Sequence, residues 1–290
     1  MKPLRIGISP CPNDTFAFHG LLEGEVDAEG LDLEIELADV EELNRRFARG
    51  DLDAAKCSFH AALRLAATSV VLPAGAALGF GVGPVLLARE PGHSIVHGSR
   101  VLCPGEWTTA HLLYRLFHPG EGKVEQVPFS QILPRLELGQ ADFGVCIHEA
   151  RFTYAGRGLA LVEDLGETWE ARTRCPLPLG GILARRDLGR DTLARLARAI
   201  RSSIAAARAR PEAALPTMRR HAQEMDDGVL WRHVELYVTD RTEDLGAEGA
   251  RALGELARVA RAAGLLPREA ATLEVFAGGA GAGAAAGQAP

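Results

Sequence analysis

Two stretches of twelve residues, GDLDAAKCSFHA at 50–61 and GQADFGVCIHEA at 139–150, align with each other without gaps. Glycine, aspartate, cysteine and the final alanine coincide, and a helical pattern precedes each stretch. Gly50 and Gly139 are placed to end those helices, and the aspartate after each of them starts a turn into a strand. Such units are common, so the match can arise by chance. Alternatively, it indicates two domains of similar topology.

The segments around these stretches alternate between strand and helix patterns. LRIGIS at 4–9 and LDLEIEL at 31–37 are typical of strands, and DVEELNRRFARG predicts a helix capped by Asp39 and ended by Gly50. Further strand patterns follow up to GGILARR at 180–186, and from about Asp191 the patterns are helical. This alternation predicts an α/β fold with largely parallel sheets.

The chain is expected to cross between domains at two short strand patterns, GPVLLAREPGH (83–93) and PLGGILARRDL (178–188). Crossing twice yields a discontinuous first domain, residues 1–88 plus 186–276, and a continuous second domain, residues 93–180. Open α/β sheets bind ligands outside the carboxyl ends of their strands. Two such domains that face each other therefore predict a ligand cleft between them.

Composition narrows the class of protein. The 290 residues carry a net charge of −6, with 47% hydrophobic residues and no basic block, so we expect a packed core and no nucleic-acid partner. The start, MKPLRIGISP, lacks a signal-peptide pattern, and no apolar run has membrane-helix length, so we expect a cytoplasmic protein with no membrane partner. Five scattered cysteines fit reduced thiols. The Gly/Ala-rich residues 277–290 are expected to form a disordered tail.

His148 is the first candidate for chemistry, because it follows the strand pattern DFGVCI. A histidine at a strand end that opens into a cleft can act as a general base, since its ordinary pKa is about 6.5. The alternative is a structural histidine at a strand terminus.

The matching strand ends with Lys56, Cys57 and Ser58. Strand alternation puts Lys56 and Ser58 on one face and Cys57 on the other. Lysine can bind a carboxylate and serine can add a directional hydrogen bond, although a solvated lysine at a strand end is the alternative reading.

Two strand-to-helix turns complete the candidates. Thr108 and Thr109 begin a helix whose free N–H groups suit an anion, with plain N-capping as the alternative. In SPCPNDTFAF (9–18), Asn13 or Asp14 is expected to cap the next helix, and Cys11 is interpreted as a packing residue. No metal-ligand spacing, P-loop or dinucleotide fingerprint is found in the sequence.

The segments SPCPNDTFAF, KCS, GVGP, PGEWTTAHLL and IHEARFTY together resemble the 1,4-dihydroxy-6-naphthoate synthases of the futalosine route to menaquinone. The resemblance runs from about residue 4 to about residue 270, with the motifs in the same order. Two departures are Cys57, where leucine is usual, and Ala17, where a larger apolar residue is common. Neither touches the expected base.

This resemblance implies a two-domain fold similar to type II periplasmic binding proteins. It also implies a carbon–carbon lyase that acts on cyclic dehypoxanthinyl futalosine, a small molecule with a carboxylate and a sugar moiety, without a metal or redox cofactor. His148 falls on the proton acceptor of the family. The expected substrate-binding residues are Lys56, Cys57, Ser58, Thr108, Thr109, Asn13 and Asp14.

Other classes stay open at this point. A non-catalytic cleft protein that binds a small carboxylate would share the fold, as would chorismate dehydratase of the same pathway or the effector domain of a regulator. The oligomeric state is not predicted.

Overall fold

The protein folds into two lobes, each built around its own β-sheet, in a computed structural model that describes residues 2–222, 226–267 and 269–277. The strands are β1 (Leu4–Ile8), β2 (Leu33–Leu37), β3 (Ala54–Ser58), β4 (Ser69–Val71), β5 (Ala77–Gly79), β6 (Val85–Ala88), β7 (Arg100–Cys103), β8 (Lys123–Gln126), β9 (Phe143–Cys146), β10 (Ala160–Asp164) and β11 (Leu177–Arg185).

The α-helices are α1 (Pro12–Ala17), α2 (His19–Leu22), α3 (Val40–Arg49), α4 (Phe59–Leu65), α5 (Thr109–Phe117), α6 (Ile132–Glu137), α7 (Ala150–Thr153), α8 (Leu165–Thr173), α9 (Arg190–Ala209), α10 (Pro211–His221), α11 (Asp227–Tyr237), α12 (Asp240–Glu243) and α13 (Gly246–Ala262). Short 3₁₀ turns cover Phe129–Gln131, Ala155–Arg157 and Arg186–Leu188. None of the helices in these described ranges has both the length and the apolar character needed to cross a bilayer.

The sheet of the first lobe has the order β2-β1-β3-β11-β4, with β5 also paired to β11, and the sheet of the second lobe has the order β10-β6-β9-β7-β8. Strands β1, β2 and β3 run parallel, as do β7, β8 and β9. Strands β11, β6 and β10 are antiparallel to their neighbours, so the prediction of largely parallel sheets was wrong for them. The chain leaves each lobe at the carboxyl edge of the parallel strands, and the first strand after each crossing, β6 or β11, runs back from that edge.

The two crossings lie a few residues earlier than the sequence pattern indicated. Strand β6, Val85–Ala88, pairs with β9 and β10 in the second lobe, and β11, Leu177–Arg185, pairs with β3 in the first lobe. The boundaries 1–88, 93–180 and 186–276 therefore assign β6 and residues 177–180 of β11 to the other lobe, while the division into two domains stays a prediction. The tail predicted over 277–290 lies, apart from Ala277, outside the described residues.

Local patterning accounts for several helix ends. Asp39 accepts a hydrogen bond from the Glu41 N–H, and Gly50 closes α3 in the left-handed conformation with φ of 81°, so both predicted ends of this helix are confirmed. Thr108 caps α5 by accepting from the His111 N–H. The Asp39 and Thr108 side chains thus bind backbone N–H groups that have no carbonyl partner within the helix.

The helix predicted after SPCP differs from expectation. Pro12 occupies its first position and Cys11 its N-cap position, without a side-chain cap, so neither Asn13 nor Asp14 caps it. The fixed φ of proline suits the first helical residue, and this starts the helix before Asn13. The segment also splits at Phe18 into α1 and α2.

Gly83 lies where the chain enters the second lobe, in the sequence GVGP. A Cβ atom on Gly83 would clash with the backbone of Gly166, at the start of α8. We expect Gly83→Ala to lower the free energy of unfolding by about 1–3 kcal/mol, the usual cost of overpacking, as measured by urea denaturation. Gly156→Ala is the control, because no atom lies within 4 Å of its added Cβ. Equal stability of the two variants would contradict the inference that Gly83 is needed for the close packing of this segment against Gly166.

Candidate active site in the cleft between the lobes

A cavity lies between the lobes, at the carboxyl ends of β1, β3 and β9. All of the predicted site residues line it: Asn13, Asp14, Lys56, Cys57, Ser58, Thr108, Thr109 and His148. Residues from α11 and β11 complete the wall. The predicted cleft is therefore present, and it draws on both lobes.

His148 lies in the turn that follows β9 and has φ of 57°, in the left-handed region. Only a few per cent of non-glycine residues adopt this conformation, and it often marks a functional position. The turn directs the imidazole across the cleft, where its Nδ1 lies 3.1 Å from the Cys11 sulfur. Its Nε2 is buried and has no hydrogen-bond partner among the described residues.

The surroundings keep His148 neutral. Burial, which outweighs the opposing effect of the Asp14 carboxylate, lowers the pKa of His148 to about 4. The Phe129 ring packs edge-on against the imidazole with ring centroids 4.8 Å apart. A neutral imidazole with one buried nitrogen facing a cavity can accept a proton.

Cys11 is more than the packing residue that the sequence indicated, because it contacts His148 from the other lobe. Burial, followed by the carboxylates of Glu149 and Asp14, raises the pKa of the Cys11 thiol well above its ordinary value. The thiol therefore stays protonated, and this excludes a thiolate nucleophile at neutral pH. The two residues are 137 positions apart, so no local pattern in the sequence predicts the contact.

Asp14 is the centre of a hydrogen-bond network on the side of the cavity that the first lobe forms. Its carboxylate accepts hydrogen bonds from the Ser9 hydroxyl at 2.6 Å, the Asn13 amide at 2.8 Å and the Lys56 ammonium at 2.5 Å. Lys56 also donates to the Gly75 carbonyl at 2.9 Å. Lys56 and Asp14 are both buried, so this is an ion pair within the protein rather than a free cation. The sequence predicted Lys56 in the cleft but did not predict its partner.

Ser58 is held by Asn44 of α3, which accepts from the Ser58 N–H at 2.9 Å and donates to its hydroxyl at 3.4 Å. Cys57 borders the cavity, while its side chain belongs to the buried core. Burial raises the pKa of the Cys57 thiol.

Both threonine hydroxyls of α5 are engaged within the protein. Thr108 donates to the Gly105 carbonyl at 2.7 Å, and Thr109 donates to the Leu179 carbonyl at 2.6 Å. These bonds hold the start of α5 against both lobes. The first N–H groups of a helix have no partner within it, and Thr109 and Ala110, at this end of α5, line the cavity.

Helix α11 adds two residues that the sequence analysis did not assign to the site. His233 and Tyr237, four positions apart on one helical face, both line the cavity, with ring centroids 4.5 Å apart. The Tyr237 hydroxyl donates to the Val82 carbonyl at 3.3 Å. In the sequence, an ionisable residue on the apolar face of a helix could have indicated a functional position. The location of α11 beside the cleft, however, depends on the topology of the fold. The described residues contain no group of three or more His, Cys, Asp or Glu side chains that could hold a metal ion.

Comparison with known proteins gives this cavity its context. A family model described as menaquinone biosynthesis matches residues 4–262. A 1,4-dihydroxy-6-naphthoate synthase of Thermus thermophilus is 48% identical over 265 residues, which cover 91% of this chain and 96% of the relative. The chain belongs to this family. A family member of the same name from Streptomyces coelicolor is 44% identical and covers 91% of this chain and 95% of its own.

Solved structures confirm the predicted fold class. A protein from Archaeoglobus fulgidus superposes with a TM-score of 0.86 at 33% identity, covering 91% of this chain and 98% of its own. The periplasmic aliphatic sulphonate binding protein of Escherichia coli matches with a TM-score of 0.62 at 14% identity, over 93% of this chain and 90% of its own. This family of synthases thus shares the two-lobed architecture of periplasmic binding proteins.

Proposed function

We propose that this protein is a carbon–carbon lyase that converts cyclic dehypoxanthinyl futalosine into 1,4-dihydroxy-6-naphthoate and a sugar-derived fragment. Its relatives at 44% and 48% identity bear the name of that synthase. The observation that carries the proposal is the buried Nε2 of His148 on the wall of the interlobe cavity, which has no hydrogen-bond partner in the part of the chain that the structure describes. A binding protein has no need of such a base, whereas a proton-abstracting lyase does.

In the proposed reaction, Nε2 of His148 accepts a proton from the cyclised substrate. In the proposed tautomer, Nδ1 carries the ring proton and donates it to the Cys11 sulfur, which leaves Nε2 unprotonated as the base. The electron pair left behind drives aromatisation as the carbon–carbon bond to the sugar portion breaks. His148 then returns the proton to the departing fragment. A positioned base and exclusion of water are the main demands on the enzyme.

The carboxylate of the substrate is proposed to bind at the start of α5, at the N–H groups of Thr109 and Ala110. Lys56 is a weaker candidate for this role, because its ammonium already pairs with Asp14. The network of Asp14, Lys56, Asn13 and Ser58 instead offers donors and acceptors to the hydroxyls of the sugar portion.

The proposed steps change no oxidation state, because one proton moves and one carbon–carbon bond breaks with its electron pair retained. The mechanism therefore calls for no redox cofactor. We also propose a cytoplasmic location, where the five free cysteines, four of them buried, stay reduced.

A pH profile of turnover tests the role of the base. A general base works only when deprotonated, and the pKa of His148 is lowered to about 4. We expect kcat/KM to be level from neutral pH down to about pH 5 and to fall as pH passes below about 4. Circular dichroism at each pH confirms that the protein is folded. A profile that already falls near pH 6.5, the ordinary histidine value, would contradict a desolvated base.

A further inference from the structure

His233 has an environment that its role in packing does not explain. The residue is 1% exposed, and neither ring nitrogen has a hydrogen-bond partner among the described residues. A neutral imidazole carries one donor and one acceptor, and burying both without partners destabilises a protein. Burial, reinforced by His148 and Lys56, lowers the pKa of His233 well below its ordinary value, so the ring is neutral.

The position of His233 relates it to the proposed base. Both rings line the same cavity, and their centroids are 6.4 Å apart. Hydrogen bonds span about 2.7–3.2 Å between heavy atoms, so one substrate bound against both rings can present a different atom to each of them. Other polar groups nearby are engaged: the Tyr237 hydroxyl donates to Val82, and Lys56 pairs with Asp14.

We propose that His233 is a second catalytic residue, which donates a hydrogen bond from its neutral ring to the substrate oxygen that gains negative charge when His148 removes the proton. This inference rests on the proposed function. The proton moves to His148, the electron pair is shared by the substrate ring system and that oxygen, and the His233 N–H stays in place. A donor fixed in a buried site stabilises such developing charge without reorganisation.

The test replaces His233 with phenylalanine, which keeps the ring and its packing against Tyr237 but removes both nitrogens. Loss of one fixed donor typically lowers kcat by about 10²–10³-fold, and we expect that loss with KM changed less than about threefold. The melting temperature should not fall, because an unpartnered polar ring gives way to an apolar one. A purely structural role predicts the opposite, a lower melting temperature with kcat preserved in the folded fraction.

Three further variants sharpen the result. His233→Gln and His233→Asn place an amide N–H near the positions of Nε2 and Nδ1, and one of them should recover at least about tenfold of the rate lost in His233→Phe. Glu235→Gln, at an exposed position of the same helix that does not line the cavity, is the matched control and should keep kcat within about threefold.

Wild-type protein measured in the same assay separates the possible failures. A wild type that forms no naphthoate overturns the proposed function and this inference with it. An active wild type beside a folded His233→Phe variant with kcat within about threefold overturns the role of His233 alone.

Discussion

Replacing His148 with asparagine is expected to lower kcat by about 10²–10⁴-fold, the range typical of a lost general base. The groups proposed to hold the substrate lie on other elements, so the dissociation constant should change little. Asparagine suits this position because His148 has φ of 57°, and asparagine tolerates the left-handed conformation better than most residues. The rate is followed by absorbance of the naphthoate, and binding by calorimetry.

The exposed His97 provides the matched control, since His97→Asn makes the same chemical change at a residue that does not line the cavity. The control is expected to keep the wild-type rate, and both variants should keep the wild-type melting temperature. A His148→Asn variant that turns over substrate at a near-normal rate would remove His148 from the mechanism. Such a result would leave the cavity as a binding site only.

Replacing Lys56 with methionine is expected to lower the free energy of unfolding by about 3–5 kcal/mol, because it leaves the buried Asp14 carboxylate without its cation. Lys56 and Asp14 are 6% and 4% exposed, so water cannot replace the lost partner readily. The variant should also raise KM, since Asp14 and Lys56 together form the proposed hydroxyl-binding wall. Urea denaturation measures the first effect, and steady-state kinetics measures the second.

The double variant Asp14→Asn with Lys56→Met separates the two effects. Removing both charges should restore most of the stability, because a buried pair replaced as a unit leaves no unpaired charge. The high KM should persist. Lys123→Met, at an exposed lysine, is the control and should stay within about 0.5 kcal/mol of the wild type. A single variant as stable as that control would show that the Lys56–Asp14 pair does not hold the fold.

Much of the fold follows from local pattern. The alternation of strand and helix predicted the α/β class, Asp39 and Gly50 marked the ends of α3, and Thr108 marked the start of α5. These features depend on hydrogen bonds within a few residues, which sequence spacing reports directly. The placement of Lys56 and Ser58 in the cleft likewise needed only the two-residue period of a strand.

The contacts that give the site its chemistry could not be predicted in this way. Cys11 contacts His148 although 137 positions separate them in the sequence, and Lys56 contacts Asp14 although 42 positions separate them. Such pairs depend on how the chain crosses between lobes, and the crossings also set the antiparallel direction of β6 and β11. His233 reaches the cavity only because α11 packs against α1 and β5. No short-range spacing encodes that packing.

The most direct test of the proposed function incubates the purified protein with cyclic dehypoxanthinyl futalosine and, in a parallel sample, with chorismate. Formation of 1,4-dihydroxy-6-naphthoate is followed by absorbance and confirmed by mass spectrometry, and binding of each compound is measured by calorimetry. We predict catalytic turnover of cyclic dehypoxanthinyl futalosine and no change in chorismate. Binding without product would indicate a cleft-binding protein, and turnover of chorismate would indicate the dehydratase; either result would contradict the proposed lyase.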